Sequence, residues 1–150
     1  MNSFKEKITA HCKFILERKI ELVSFEMDEI SASMENETKS SAGDKHETAR
    51  ARMQSEYEKL SWQLDELKGQ LVLLERIDPK EDSKIISNGN LVQTNKGLFF
   101  IAVPLGKVEL DEKVIYVISP VSPLGKKLMG LKISDEIKVN TTIYRIEKIS

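Results

Sequence analysis

Two stretches of equal length decide the fold: LERKIELVSFEMDEISASM at residues 16–34 and MQSEYEKLSWQLDELKGQL at residues 53–71. In the second stretch, apolar residues recur at alternating gaps of four and three, the heptad pattern of a helix that buries one seam. The first stretch has almost the same rhythm when it is read backwards. Paired outward from the middle, the residue numbers of each pair add to 87. The pairs are Met34 with Met53, Ile30 with Tyr57, Met27 with Leu60, Val23 with Leu64, Ile20 with Leu67, and Leu16 with Leu71. This mirror relation predicts an antiparallel coiled-coil hairpin that turns between Gly43 and Asp44.

The first helix also carries a second apolar series, which does not pair with the second helix. We expect this series to cover another surface. Its members are Phe4, Ile8, Ile15, Leu22 and Phe25.

The limits of the two helices follow from the residues that flank them. Residues 4 to about 36 contain no Pro or Gly and are predicted as one helix. Residues 38–43 are mostly small and polar and are predicted as the turn. The second helix is predicted from Asp44 to about Arg76, and Asp78-Pro79 ends it because the residue before Pro is disfavoured in the helical region.

The helical period disappears after about residue 80, and short β-type runs replace it. Residues 91–94 and 98–103 are predicted as a hairpin around Asn95-Lys96-Gly97, residues 113–118 as a central strand, and residues 136–139 and 142–149 as a closing pair. Ser122 suits a helix N-cap, Pro123 the first helical position and Gly130 the stop after a short helix. The predicted fold class is therefore α+β. A helical hairpin with its tip near residues 43–47 forms one domain (1–79), and antiparallel strands with one short helix form the other (80–150).

Composition and charge exclude several classes of function. Residues 1–79 carry 12 Lys and Arg against 16 Asp and Glu, whereas residues 80–150 carry 11 against 8, so no polybasic surface for free duplex DNA is expected. The single Cys12 excludes an internal disulfide, and together with the absence of a signal-peptide pattern it predicts a cytoplasmic protein. Cys12 and His11 are adjacent on a helix and do not face each other, so no catalytic Cys–His pair is expected. No apolar run is long enough for a membrane span.

The chain resembles the bacterial Gre transcript-cleavage factors, GreA and GreB, over nearly its whole length. Two motifs carry this resemblance. Gly43-Asp44-Lys45-His46-Glu47-Thr48-Ala49 is similar to the hairpin tip of that family, and it lies where the mirror pairing places the turn. The run from Ile118 to Gly130, which contains Ser122-Pro123, followed by Asp135-Glu136-Ile137, is similar to the family's C-terminal signature.

The resemblance implies an FKBP-like C-terminal domain that docks on RNA polymerase and a coiled-coil arm that enters the secondary channel of the polymerase. It implies that Asp44 and Glu47 help to hold a catalytic Mg²⁺ that is shared with the polymerase, and so stimulate the polymerase to cleave backtracked nascent RNA at its 3′ end. In this interpretation the chain is a partner of an enzyme and not itself an enzyme. Ser122, Pro123 and Leu124 are implied polymerase contacts. Four basic residues are candidate contacts to the phosphates of the RNA: Lys45, His46, Arg50 and Arg52.

Each of these sites also has a purely structural interpretation. Asp44 and Glu47 have the spacing of a capping box at a helix start, and Ser122 with Pro123 can serve only to begin the short helix. The four basic residues near the tip can form a solvated face. For the whole chain, the alternatives are a Gre-like regulator that occupies the channel without promoting cleavage, and a structural adaptor that uses the coiled coil to bind another protein.

Overall fold

The computed structural model describes the backbone of residues 3–39 and 44–150, and the side chains of residues 4–36 and 47–150. The chain forms two compact units. One is Phe14–Leu71, and the other combines Met1–Lys13 with Val72–Ser150. These bounds differ from those of the predicted domains, 1–79 and 80–150, which stay a prediction.

The unit Phe14–Leu71 contains most of two long helices, α1 (Ser3–Lys39) and α2 (Asp44–Glu75). Both lie within a residue or two of the predicted helices, except that α1 continues through Thr38 and Lys39, which were expected in the turn. The rest of that predicted turn, residues 40–43, lies outside the described residues. Near the turn, the Arg50 guanidinium donates a hydrogen bond to the backbone oxygen of Met34 at 3.1 Å. This contact joins the end of α1 to the beginning of α2, as an antiparallel hairpin requires.

The predicted seam is the shielded side of this hairpin. Leu16, Val23 and Leu67 are buried, and every other residue of the paired series is half-buried. In the second apolar series, Leu22 and Phe25 are largely exposed, Phe4 and Ile15 are half-buried, and Ile8 is fully buried. The mirror-paired residues are therefore shielded along the whole hairpin, whereas the second series is shielded only towards the beginning of α1.

The other unit is built on a six-stranded sheet with the strand order β3-β4-β2-β1-β6-β5. Its elements in chain order are β1 (Leu91–Thr94), β2 (Gly97–Ile101), β3 (Gly106–Leu110), β4 (Lys113–Ile118), α3 (Pro123–Leu128), β5 (Glu136–Val139) and β6 (Thr142–Ile149). Both predicted hairpins are present, and β4 has the predicted limits and lies inside the sheet. The predicted α+β class, a long helical hairpin followed by a small sheet with one short helix, is confirmed.

The sheet departs from the prediction in two respects. Strand β3 was not predicted; it pairs with β4 through a tight turn in which Asp111 and Glu112 have φ of 51° and 63°. Strands β2 and β4 are parallel, so the sheet is mostly but not wholly antiparallel. The unpredicted strand explains the parallel pair. The chain reverses direction between β3 and β4, and β4 therefore runs in the same direction as β2.

One face of the sheet packs against α3. Val92, Phe99, Ile101 and Ile146 from the strands form a buried cluster with Leu128 of α3 and with Ile86. Successive strand residues point to opposite faces, so Leu98 and Phe100 of β2 belong to the other face, where Phe100 is fully buried.

The beginning of α1 is tied to the sheet unit by polar contacts. The Lys5 amine donates to the backbone oxygen of Glu81 at 2.6 Å, and Lys7 forms an ion pair with Asp111 at 3.1 Å. The Lys113 amine lies 4.5 Å from the centre of the Phe4 ring, within the range of a cation–π contact. These contacts give the first residues of the chain a structural role that the sequence did not predict. No helix of the described residues is long and apolar enough to cross a membrane.

Candidate functional site

The acidic pair predicted for the hairpin tip falls at the first turn of α2. The helix begins at Asp44, and position 47 is three residues further, a spacing that lies on one side of a helix. Glu47 is exposed. The side chains of Asp44, Lys45 and His46 lie outside the described residues, so neither the capping nor the metal-binding interpretation of Asp44 is tested.

The two arginines predicted near the tip differ in their contacts. Both are exposed, but the Arg50 guanidinium already donates to the Met34 carbonyl oxygen and so joins the two helices. The structure thus gives Arg50 a structural role within the hairpin. Arg52 remains a candidate RNA contact.

No group of three or more His, Cys, Asp or Glu side chains that could hold a metal ion occurs among the described residues, which do not include the side chain of Asp44. Carboxylate oxygens are nevertheless the ligands that Mg²⁺ takes from proteins, usually one or two at a time. The expected role of Asp44 and Glu47 in holding a shared Mg²⁺ stays a prediction.

The second candidate site is the loop that leads into α3, and its hydrogen bonds fix its shape. The Ser122 hydroxyl accepts a hydrogen bond from the Gly125 amide at 3.0 Å and donates one to the Ser119 carbonyl oxygen at 2.7 Å. The Ser119 hydroxyl in turn accepts from the Val121 amide at 3.2 Å. Pro123 occupies the first turn of α3, and Gly130 follows the helix with φ of 84°. The predicted N-cap, first helical position and stop are all present.

The three predicted docking residues have different environments. Ser122 is half-buried and caps α3, while Leu124 is half-buried and packs against the core cluster. Only Pro123 is exposed, and beside it the Val121 side chain is 71% exposed. Val121 was not predicted as a contact residue. The sequence signal that could have identified it is an apolar residue between two prolines. The exposed side chains of this loop are therefore Val121 and Pro123, and Ser122 and Leu124 hold the loop in place.

A cleft of about 630 Å³ lies on the sheet unit and was not predicted. Its apolar lining includes Leu91, Leu98 and Ile149, and lysines at positions 5, 84, 113 and 148 add positive charge. Two of these amines are already engaged, Lys5 with the Glu81 carbonyl and Lys113 with the Phe4 ring. The lysines come from distant parts of the sequence, so no local motif marks the cleft.

Comparison with known proteins gives a distant structural likeness. No protein-family model matches the chain, and no curated protein matches it. Among solved structures, the chain is similar to one described as "Structure of the transcription factor Gfh1", with 18% identity, a TM-score of 0.37, and coverage of 91% of this chain and 92% of that chain. A likeness at this level assigns no function to the chain.

Proposed function

We propose that this chain is a transcription elongation factor that binds RNA polymerase through its secondary channel and stimulates cleavage of backtracked nascent RNA. The observation that carries the proposal is the Gly-Asp-x-x-Glu sequence at the beginning of α2, where the hairpin turns. The fold supports it, since a two-helix arm followed by a small α+β unit is the architecture that the resemblance to Gre factors implies.

The arm has the reach that the proposal needs. From Leu16 to Lys39, α1 would extend roughly 35 Å at about 1.5 Å per residue. A hairpin of this length with a shielded apolar seam can carry the acidic tip into a narrow channel, because each helix supports the other.

The chemistry would be shared between the two proteins. Asp44 and Glu47 would help to hold a Mg²⁺ shared with the polymerase, and such an ion would supply metal-assisted activation of water for phosphodiester cleavage. The tip would supply part of its ligand set, with the Asp44 carboxylate as the direct ligand and Glu47 as a second ligand or as the group that orients water. The chain itself is not an enzyme in this proposal.

The other contacts divide between docking and RNA binding. Val121 and Pro123 would contact the polymerase, and Lys45, His46 and Arg52 would approach the phosphates near the RNA 3′ end. No contact with free duplex DNA or with a membrane is part of the proposal.

The test compares tip variants in a stalled, backtracked transcription complex. Asp44→Asn retains the preference of an N-cap residue but removes the charge that favours Mg²⁺. We expect normal thermal stability, retained polymerase binding and a loss of stimulated cleavage of about 100-fold or more, which corresponds to the removal of roughly 3 kcal/mol of transition-state stabilisation. Glu47→Gln should reduce cleavage less. Glu56→Gln, at an exposed carboxylate further along α2, serves as a control that leaves both tip carboxylates in place and should stimulate cleavage normally.

Two results would replace this proposal with its alternatives. Wild-type protein that binds the polymerase but never stimulates cleavage across a Mg²⁺ titration would identify a channel-binding regulator. Absence of polymerase binding would leave the coiled coil as a structural adaptor.

A further inference from the structure

The outer side of α1 exposes a line of large apolar side chains. Phe14, Leu22 and Phe25 are 58%, 60% and 62% exposed. At 3.6 residues per turn, Phe14 and Phe25 lie roughly opposite the seam residues Val23 and Met27. This line is therefore separate from the surface that binds α2, and large apolar side chains exposed on one face commonly mark an interaction site.

The residues between the two phenylalanines give this face an order that is self-complementary. Phe14, Arg18, Glu21 and Phe25 follow one another at gaps of four, three and four, which places them on one side of the helix. Read from either end, the order is Phe, charge, charge, Phe, and the two charges have opposite sign. In a second copy of the helix that runs antiparallel, Phe14 would lie against Phe25 and Arg18 against Glu21. Both contacts would occur twice, once on each side of the two-fold axis.

We propose that this face binds a second copy of the chain, with the two α1 helices antiparallel about an axis between Lys19 and Ile20. A two-fold interface requires each residue to meet its counterpart reciprocally, and the positions above satisfy this at four contacts. A parallel pair would instead set Arg18 against Arg18 and Glu21 against Glu21. The charge order thus selects the antiparallel arrangement.

The side chains of Arg18 and Glu21 are accessible to a second copy of the chain. Within one chain, the Arg18 guanidinium lies 3.4 Å from a Glu21 carboxylate oxygen, and both side chains are about two-thirds exposed. In the dimer, each guanidinium would lie between the carboxylates of both copies. Leu22, at the border of the face, would add apolar contact.

The contact is small. Two helix faces of this length fall below about 1,200 Å² of buried surface, the class of weak and transient interfaces. We expect a dissociation constant on the order of 100 μM. The association would be detected by sedimentation equilibrium over a concentration series, with circular dichroism to verify that each variant is folded.

The decisive experiment uses two charge reversals, separately and mixed. Arg18→Glu alone sets Glu against Glu, and Glu21→Arg alone sets Arg against Arg, so each should weaken self-association by about tenfold or more through the loss of two ion pairs and their replacement by repulsion. In an equimolar mixture of the two variants, the heterodimer sets every Glu against an Arg. Its dissociation constant should return to within about threefold of the wild-type value.

Two further variants locate the contact. Phe25→Ser should abolish association because it removes both ends of the apolar line. Trp62→Ser changes a side chain that is 71% exposed on the outer side of α2 and should leave association unchanged. Wild-type protein that stays monomeric at about ten times the expected dissociation constant would overturn the proposal. A mixture that associates no better than the separate variants, or loss of association in Trp62→Ser, would also overturn it.

Discussion

Cys12 is the chain's single cysteine, and the structure buries it completely within α1. Burial raises the pKa of its thiol to about 12, because the thiolate would lose its hydration. From sequence, its position next to His11 already excluded a facing Cys–His pair. The burial supplies a stronger reason why this residue is not a nucleophile, since only the thiolate reacts.

The first prediction concerns the reactivity of this thiol. At pH 8, a rise in pKa from 9.0 to about 12 lowers the thiolate fraction by about a thousandfold. Alkylation by iodoacetamide should therefore be much slower in the folded chain than in urea. Equal rates in the two states would contradict the burial.

The same shift predicts a pH dependence of stability. Between pH 9 and 12 the unfolded thiol ionises while the folded one stays protonated, so the free energy of unfolding should fall as the pH rises through this range. Cys12→Ala should remove this part of the slope in urea titrations made across the same pH values.

Lys5 illustrates a residue whose role the sequence could not supply. Its side chain is almost wholly buried, and burial lowers the pKa of its amine, opposed by the charges of Asp82, Glu81 and Asp78. In the sequence it belongs to an ordinary charged run, Lys5-Glu6-Lys7. Its acceptor is a backbone carbonyl oxygen 76 residues away, and a contact at that separation leaves no periodic signal.

At the scale of elements, the helical hairpin was the part most fully predicted from sequence. Heptad spacing and the mirror relation depend only on which residues are apolar and how far apart they lie, and the helix makes those distances regular. Strand β3 was missed for the opposite reason. Its turn consists of Asp111 and Glu112, both in left-handed conformation, where the typical sequence signal would be Asn-Gly or Asp-Gly.

The second prediction compares two leucines of the hairpin. Leu67 is 8% exposed on the seam and Leu22 is 60% exposed on the outer side. Leu67→Ala should lower the free energy of unfolding by about 2–4 kcal/mol, and Leu22→Ala by less than about 0.5 kcal/mol. Urea titrations at low micromolar protein measure both. Similar losses in the two variants would contradict the assignment of the seam.

The third prediction concerns the two glycines that differ most in their surroundings. A Cβ at Gly125 would collide with the Ser119 carbonyl oxygen and crowd the Ser122 hydroxyl, whereas a Cβ at Gly69 would meet nothing within 4 Å. Gly125→Ala should therefore cost about 1–3 kcal/mol and distort the loop before α3. Gly69→Ala should stabilise α2 by about 0.5–1 kcal/mol. Thermal unfolding of both variants checks this, and a neutral Gly125→Ala would argue against the described loop.

At the scale of the whole molecule, the prediction from sequence was limited by contacts between distant segments. The sequence places residues 4–13 within a continuous helix with the rest of α1, yet they belong to the compact unit that contains Val72–Ser150. The sequence identified the motif of the loop before α3, but only the structure separates exposed Pro123 from the supporting residues Ser122 and Leu124. Burial depends on what the rest of the chain covers, and a local pattern does not contain that information.

The last prediction separates docking from chemistry, because the proposed function assigns them to two different sites. Pro123→Asp puts a charge on the exposed loop, and an acidic residue is well tolerated in the first turn of a helix. The Ser122 cap should persist, so thermal stability should change little, while affinity for core RNA polymerase should fall by about tenfold or more because the charge would be buried without a partner. Ile133→Asp, at a side chain that is 54% exposed elsewhere on the sheet unit, is the matched control and should bind normally. At saturating concentration, Pro123→Asp should still stimulate cleavage, whereas Asp44→Asn should bind and fail to do so. Normal affinity of folded Pro123→Asp would place docking on another surface and leave the tip proposal to be judged by the cleavage assay alone.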